Sequence, residues 1–216
     1  MNMHSEPIEG LSRWRKRLVL VALVVIVVGC RPGGDAIRNS GFDVMERSIV
    51  ELTAALEAGE VTSRELVDGY LMRIQAYDQR GPGLNAMVTL SDRAHAEADE
   101  LDAERAEGRV RGPLHGIPVV VKDNYDTADM PTTAGAIGLA TSIPPDDAFQ
   151  VRRLREAGAI VLGKTNMHEL ARGITTVSSI AGQTRNPYDP ARNPGGSSGG
   201  TGAAVAASFA AVGMGS

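Results

Sequence analysis

Lys122 closes the apolar run Ile117-Pro118-Val119-Val120-Val121, and further along the chain Ser197 and Ser198 stand inside Gly195-Gly196-Ser197-Ser198-Gly199-Gly200. A lysine serves as a base only when it is neutral, which takes desolvation or a neighbouring positive charge. An apolar strand ending in Lys122 would draw its amine out of water. The alternative is a charged lysine paired with the adjacent Asp123 at a solvated edge, the usual situation of a lysine. The glycines around the serines permit backbone geometries closed to other residues and let a side chain or ligand come close to the main chain. A hydroxyl beside a neutral amine can pass a proton to and from a reacting group.

A glycine-rich turn that opens a helix could instead cradle a phosphate. The phosphate-binding loop of nucleotide hydrolases needs a lysine followed by serine or threonine after its last glycine, whereas Gly200 is followed by Thr201-Gly202-Ala203. A flexible linker is the remaining structural alternative, and a linker would not be expected to run straight into a helix of small residues. His115 and His168 have no apparent serine partner, so packing or surface roles are expected for both. His4, His95, His115 and His168 lack metal-ligand spacing, so neither a metal nor another cofactor is expected.

Two separated blocks, Gly112-Pro113-Leu114-His115-Gly116-Ile117-Pro118-Val119-Val120-Val121-Lys122-Asp123-Asn124 and Pro194-Gly195-Gly196-Ser197-Ser198-Gly199-Gly200-Thr201-Gly202, stand in the order found in the amidase signature family. The chain resembles that family from about Val61 onward. Gly163-Lys164-Thr165-Asn166-Met167 and Thr184-Arg185-Asn186-Pro187-Tyr188 add to the likeness, while Val177, Ser178 and Ala181 depart from the family's pattern. The resemblance implies an amide hydrolase in which Lys122 is the base and Ser197 the bridging serine, preceded by a cis peptide. It further implies supporting hydroxyls at Ser198 and Ser216, and a substrate-facing backbone position at Ala171. The family's nucleophilic serine follows in a glycine-rich turn just beyond Ser216. The expectation is therefore the N-terminal portion of an amidase, inactive alone, acting at full length on a small-molecule amide through an acyl-enzyme at non-peptide carbon–nitrogen bonds. Two alternatives stay open: the amidase-like subunit of an amidotransferase, and a non-catalytic truncated protein.

The elements that must position these residues alternate between helix and strand. Ser48-Ile49-Val50-Glu51 and Thr62-Ser63-Arg64-Glu65 each read as a capping box. The first opens a helix to Gly59; the second opens one whose stripe Leu66, Val67, Tyr70, Leu71, Ile74 and Tyr77 faces a core and stops at Gly81-Pro82-Gly83. Strands are expected over 84–90, 117–121 and 159–163, and helices over 92–107, from a cap at Asp147 to Glu156, and over 201–208, with a further strand beginning within 209–212. This alternation predicts an α/β fold. The resemblance makes it the amidase-signature fold, a mixed sheet covered by helices on both faces, with only its N-terminal part present.

The first residues differ in kind. Arg13, Arg15, Lys16 and Arg17 precede an apolar run over 18–28, the length of a signal-peptide core and short for a bilayer span. Val27-Val28-Gly29-Cys30 resembles a bacterial lipoprotein cleavage box, which makes Cys30 a lipidation site; a retained signal anchor is the alternative. The expected division is a signal peptide over 1–29, a tether over 30–45 and the amidase signature domain over 46–216. Export and membrane anchoring through the N-terminal lipid follow from it. Cys30 is the single cysteine, so no intrachain disulfide can form. A net charge of −4, with no basic cluster outside the extreme N-terminus, argues against a nucleic-acid face.

Overall fold

The structure is a computed structural model and describes residues 41–216. The expected signal peptide, Cys30 and most of the tether lie outside the described residues. The last tether positions do not: Val44 is buried in the core against Gly69, so the packed body begins before residue 46.

Helix α1 (Ile49–Ala58) starts at Ser48, whose hydroxyl accepts the Glu51 amide while the Glu51 carboxylate accepts the Ser48 amide; it ends at Gly59 in the left-handed region. Thr62 and Glu65 build the same reciprocal cap on α2 (Ser63–Tyr77). Each cap satisfies amides that no helix can bond internally, which fixes the start of the helix to one residue. Leu66, Val67, Tyr70 and Ile74 of α2 enter the core as the stripe requires, whereas Tyr77 stays half-exposed.

Four strands form a mixed sheet in the order β1 (Met87–Leu90), β3 (Ile160–Thr165), β2 (Pro118–Lys122), β6 (Val212–Met214). β3 runs antiparallel to β1 and parallel to β2, and β2 runs parallel to β6. Every residue of β2 and β3 is buried. Successive strand residues point to opposite sides, so helices must cover both faces. They are α2, α3 (Ala94–Ala106), α4 (Phe149–Glu156) and α5 (Gly199–Ala206). A separate two-stranded hairpin, β4 (Val177–Ser178) and β5 (Gly182–Gln183), was not foreseen from sequence.

Two boundaries differ from expectation for identifiable reasons. The strand expected over 84–90 forms only from Met87, because the Leu84 and Asn85 amides donate to the Tyr77 and Asp78 carbonyls and the Ala86 amide donates to the Asp78 carboxylate. Asp147 does not cap α4, whose N-cap is Ala148; its carboxylate accepts the Ala128 amide and pairs with Arg155. The strand expected to begin within 209–212 starts at Val212, after the chain turns through buried Phe209.

β3 also runs on through Gly163, Lys164 and Thr165, and it does so with a bulge. Val119 faces Val161 but Val120 faces Gly163, leaving Leu162 as the extra residue. A one-residue shift in register exchanges the faces of everything beyond it. Gly163 is required at this place because a Cβ would lie 2.2 Å from the Thr89 carbonyl oxygen of β1. Gly163→Ala should therefore cost about 1–3 kcal/mol as β1 is forced from β3. Gly138→Ala, where a Cβ meets nothing within 4 Å, should change little. Urea denaturation midpoints of the two variants against the parent check this.

Candidate active site

The parallel pairing of β2 with β6 sets the site. Val119, Val120 and Val121 face Val212, Gly213 and Met214, so the two strands end side by side and the segments leaving them meet. Lys122 is the last residue of β2 and is fully buried. The residues after it reach across: the Tyr125 hydroxyl donates to the Gly215 carbonyl (2.8 Å) and the Asn124 amide donates to the Ser216 hydroxyl (3.2 Å). Binding sites of parallel sheets form at such carboxyl ends, where strands stop and loops diverge.

The serine loop is brought to the same place by α5, which packs on β2, β3 and β6. A Cβ on Gly200 would lie 2.1 Å from the Asn166 carbonyl oxygen, so only glycine lets the helix start this close to the exit of β3. Beneath, the hydroxyls of Thr165 and Thr201 meet at 2.6 Å and tie helix to strand. Thr176 fastens the loop from outside: its hydroxyl donates to the Gly195 carbonyl (2.6 Å) and accepts the Gly199 amide (3.0 Å). The Gly196–Ser197 peptide is cis.

Lys122 Nζ then lies 2.8 Å from Ser197 Oγ, 2.9 Å from Ser216 Oγ and 3.1 Å from the Ser216 main-chain oxygen. The Ser198 hydroxyl holds Ser216 at both ends, donating to its main-chain oxygen (2.9 Å) and accepting its amide (3.1 Å). Lys122, Ser197, Ser198 and Ser216 thus converge. Burial pulls the Lys122 amine below its ordinary value of 10.5. The Asp123 carboxylate, which sequence offered as a partner for Lys122, is turned to Lys164 at 3.6 Å and to Thr133 and the Gly135 amide. A relay of neutral amine and hydroxyls is chemically suited to moving a proton, and the absence of a side-chain carboxylate among its hydrogen-bond partners in the described residues favours the neutral amine.

Ala171 is exposed and in the left-handed region, its amide donating to the His168 carbonyl (2.8 Å). Its connection to the serines runs through His168, whose own amide donates to the Ser197 carbonyl (3.0 Å). The His115 ring is held between the Leu101 carbonyl and the Arg111 amide, an arrangement that uses both nitrogens of a neutral imidazole in packing. Burial lowers its pKa further. Thr176, Asn124 and Tyr125 escaped sequence reasoning. The glycines announced that something approaches the loop, but nothing in the sequence said that it was Thr176. Among the described residues no helix is long and apolar enough to cross a membrane, and no group of three His, Cys, Asp or Glu could hold a metal ion.

A glutamyl-tRNA(Gln) amidotransferase subunit of Acidothermus cellulolyticus is 45% identical to this chain over 174 residues, 80% of this chain and 34% of the relative. The protein of the same name from Halorhodospira halophila is 47% identical over 166 residues, 76% and 34% of the two chains. The chain therefore spans about a third of the length of the curated relatives it matches. Among solved structures, native peptide amidase from Stenotrophomonas maltophilia superposes with a TM-score of 0.76 at 49% identity, covering 78% of this chain and 36% of that one. An amidase family protein from Bacillus anthracis superposes with a TM-score of 0.75 at 41% identity, covering 80% and 35%. With the Amidase family model matching residues 65–216 and the mixed sheet with its flanking helices in place, the chain belongs to the amidase family.

Proposed function

We propose that this chain supplies the base and the bridging serine of a hydrolase acting on carbon–nitrogen bonds of small-molecule amides. The observation that carries the reading is the buried Lys122 amine, set between the Ser197 and Ser216 hydroxyls with no side-chain carboxylate bonded to it. An amide is a poor electrophile with a poor leaving group, so its cleavage needs an activated nucleophile, a proton for the departing nitrogen and donors for the oxyanion. Neutral Lys122 takes a proton through Ser197 from an attacking hydroxyl and later returns it to the leaving nitrogen. The attacking serine and the oxyanion amides belong to a glycine-rich turn following Ser216, as the family resemblance implies. Ser198 keeps Ser216, and with it the approach to that turn, in register with Lys122. Ala171 is the proposed substrate-facing backbone position.

The names of the curated relatives support a second reading, an amidotransferase component working beside a tRNA. The basic flank, apolar run and Gly29-Cys30 junction favour the first reading, with the protein exported and lipid-anchored through Cys30, since tRNA is cytoplasmic. Labelled palmitate should enter the protein in a bacterial host with a lipoprotein pathway, and Cys30→Ser should abolish the label. Retention of label in that variant would remove the anchor from the proposal.

In a full-length protein that carries the downstream turn, Lys122→Ala and Ser197→Ala should each lower kcat/KM for an aryl amide by about 100-fold or more without changing the circular dichroism spectrum. Lys122→Arg should stay equally inactive, because a guanidinium does not become neutral. Near-parental turnover in either alanine variant would overturn the relay.

The pH dependence follows from the direction of the Lys122 shift. The amine is the active form, so kcat/KM should rise with pH and fall as acid protonates Lys122. The midpoint of that limb should lie below the ordinary 10.5 of a lysine. A pH–rate profile with no acid limb attributable to Lys122 would contradict this.

A further inference from the structure

The chain contains three lysines, Lys16, Lys122 and Lys164, against 22 basic residues in all. Both described lysines are fully buried and sit in neighbouring strands. Their surroundings differ in the carboxylate. Lys164 Nζ donates to the Pro131 carbonyl at 3.2 Å and the Thr132 hydroxyl at 2.8 Å, and the Asp123 carboxylate stands 3.6 Å away as a counter-ion. Lys122 meets two hydroxyls, each able to donate as well as accept, and one main-chain oxygen. No side-chain carboxylate is among them.

The bulge at Leu162 separates the two. In the observed register Lys122 faces Thr165 and Val121 faces Lys164. Partners in a parallel pair share a face and successive residues alternate. Lys164 therefore shares the face of Val121 and Asp123, while Lys122 shares that of Thr165, where α5 sits. Without the extra residue, Lys122 would face Lys164 on one side of the sheet.

We infer that Lys164 is a positioning residue for Lys122: by holding the Asp123 carboxylate on the opposite face of the sheet, it keeps a counter-ion away from the amine that faces the serines. The inference rests on the proposed role of Lys122 as a base. Asp123 also accepts from Thr133 and Gly135, which hold it in place; with Lys164 removed, a negative charge on Asp123 would have no partner there and would favour a protonated Lys122. Among the described residues no charged side chain bonds Lys122. α5 and β6 carry no titratable side chain, and from the loop after β2 the Tyr125 hydroxyl bonds the Gly215 carbonyl beside the site. Burial lowers the Lys164 pKa below its ordinary value, and the charges of Asp123, Asp126 and Asp129 oppose that shift.

With so few lysines, the 13Cε resonances of lysine-labelled protein can be followed one by one through a pH titration. The 216-residue chain is used with a carboxamide on residue 216, so that no terminal charge lies beside Lys122. The parent should show Lys122 titrating below the ordinary lysine range. Lys164→Met should raise the Lys122 midpoint by about one pKa unit or more, a tenfold or larger gain in proton affinity. Lys164→Met combined with Asp123→Asn removes both charges and should return Lys122 to its parental midpoint, a rescue that loss of packing alone would not produce. Circular dichroism confirms folding, and Lys164→Gln replaces the methionine variant if that one does not fold. An unchanged Lys122 midpoint in the single variant, or failure of the double variant to restore it, overturns the inference while leaving the base intact. A parental Lys122 that titrates as an ordinary lysine overturns the base itself.

Discussion

A lysine side chain taken fully out of water either keeps its proton with the help of a counter-ion or gives the proton up. This protein places two such side chains on adjacent strands, and the Asp123 carboxylate pairs with Lys164. The rest of the site depends on which lysine receives it. Because Asp123 follows Lys122 directly, strand alternation turns its side chain to the other face, where the bulged register of β3 presents Lys164. Sequence adjacency of Lys122 and Asp123 thus separates them, while distance along the chain brings Lys164 and Asp123 together.

With no side-chain carboxylate bonded to Lys122, the remaining architecture serves to hold two hydroxyls in its reach. Three stretches remote from one another in the chain supply the groups: the end of β2, the turn before α5 and the exit of β6. None could be placed by local preference. The β2–β6 ladder aligns the first and third, and the close seating of α5 against Asn166 aligns the second. Thr176 and Ser198 then fix the loop and the β6 exit by bonding main-chain atoms at both ends. Hydrogen bonds to backbone groups leave the hydroxyls of Ser197 and Ser216 free to engage the amine.

What the sequence disclosed, it disclosed through local chemistry. The two capping boxes state their own geometry within four residues, and the valines before Lys122 announce a strand buried on both faces. The four glycines of the serine loop announce a close approach. What it withheld depends on partners far away in the chain. Asp147 has the side chain of a helix cap but is drawn off by Arg155 and the Ala128 amide. Asp123 looked like the natural partner of its neighbour until a lysine on the next strand claimed it. The expected strand over 84–90 was shortened by the carboxylate and carbonyls at the end of α2, none of which a periodicity can reveal.

The same dependence on distant partners explains why the histidines are poor rivals to the lysine. An imidazole needs little perturbation to be neutral near pH 7, which on its own makes it the easier base. His115, however, has both ring nitrogens committed to backbone groups within its own surroundings, and Arg105 bonds its carbonyl. Freeing either nitrogen would leave a buried polar group unpaired, which costs more than the proton transfer would gain. A lysine on a strand end has no such commitments: its long side chain carries the amine past the last ladder bond and into the space the loops enclose. The fold leaves that amine without a side-chain carboxylate, as the proposed base requires, and directs Asp123 instead to Lys164 on the next strand.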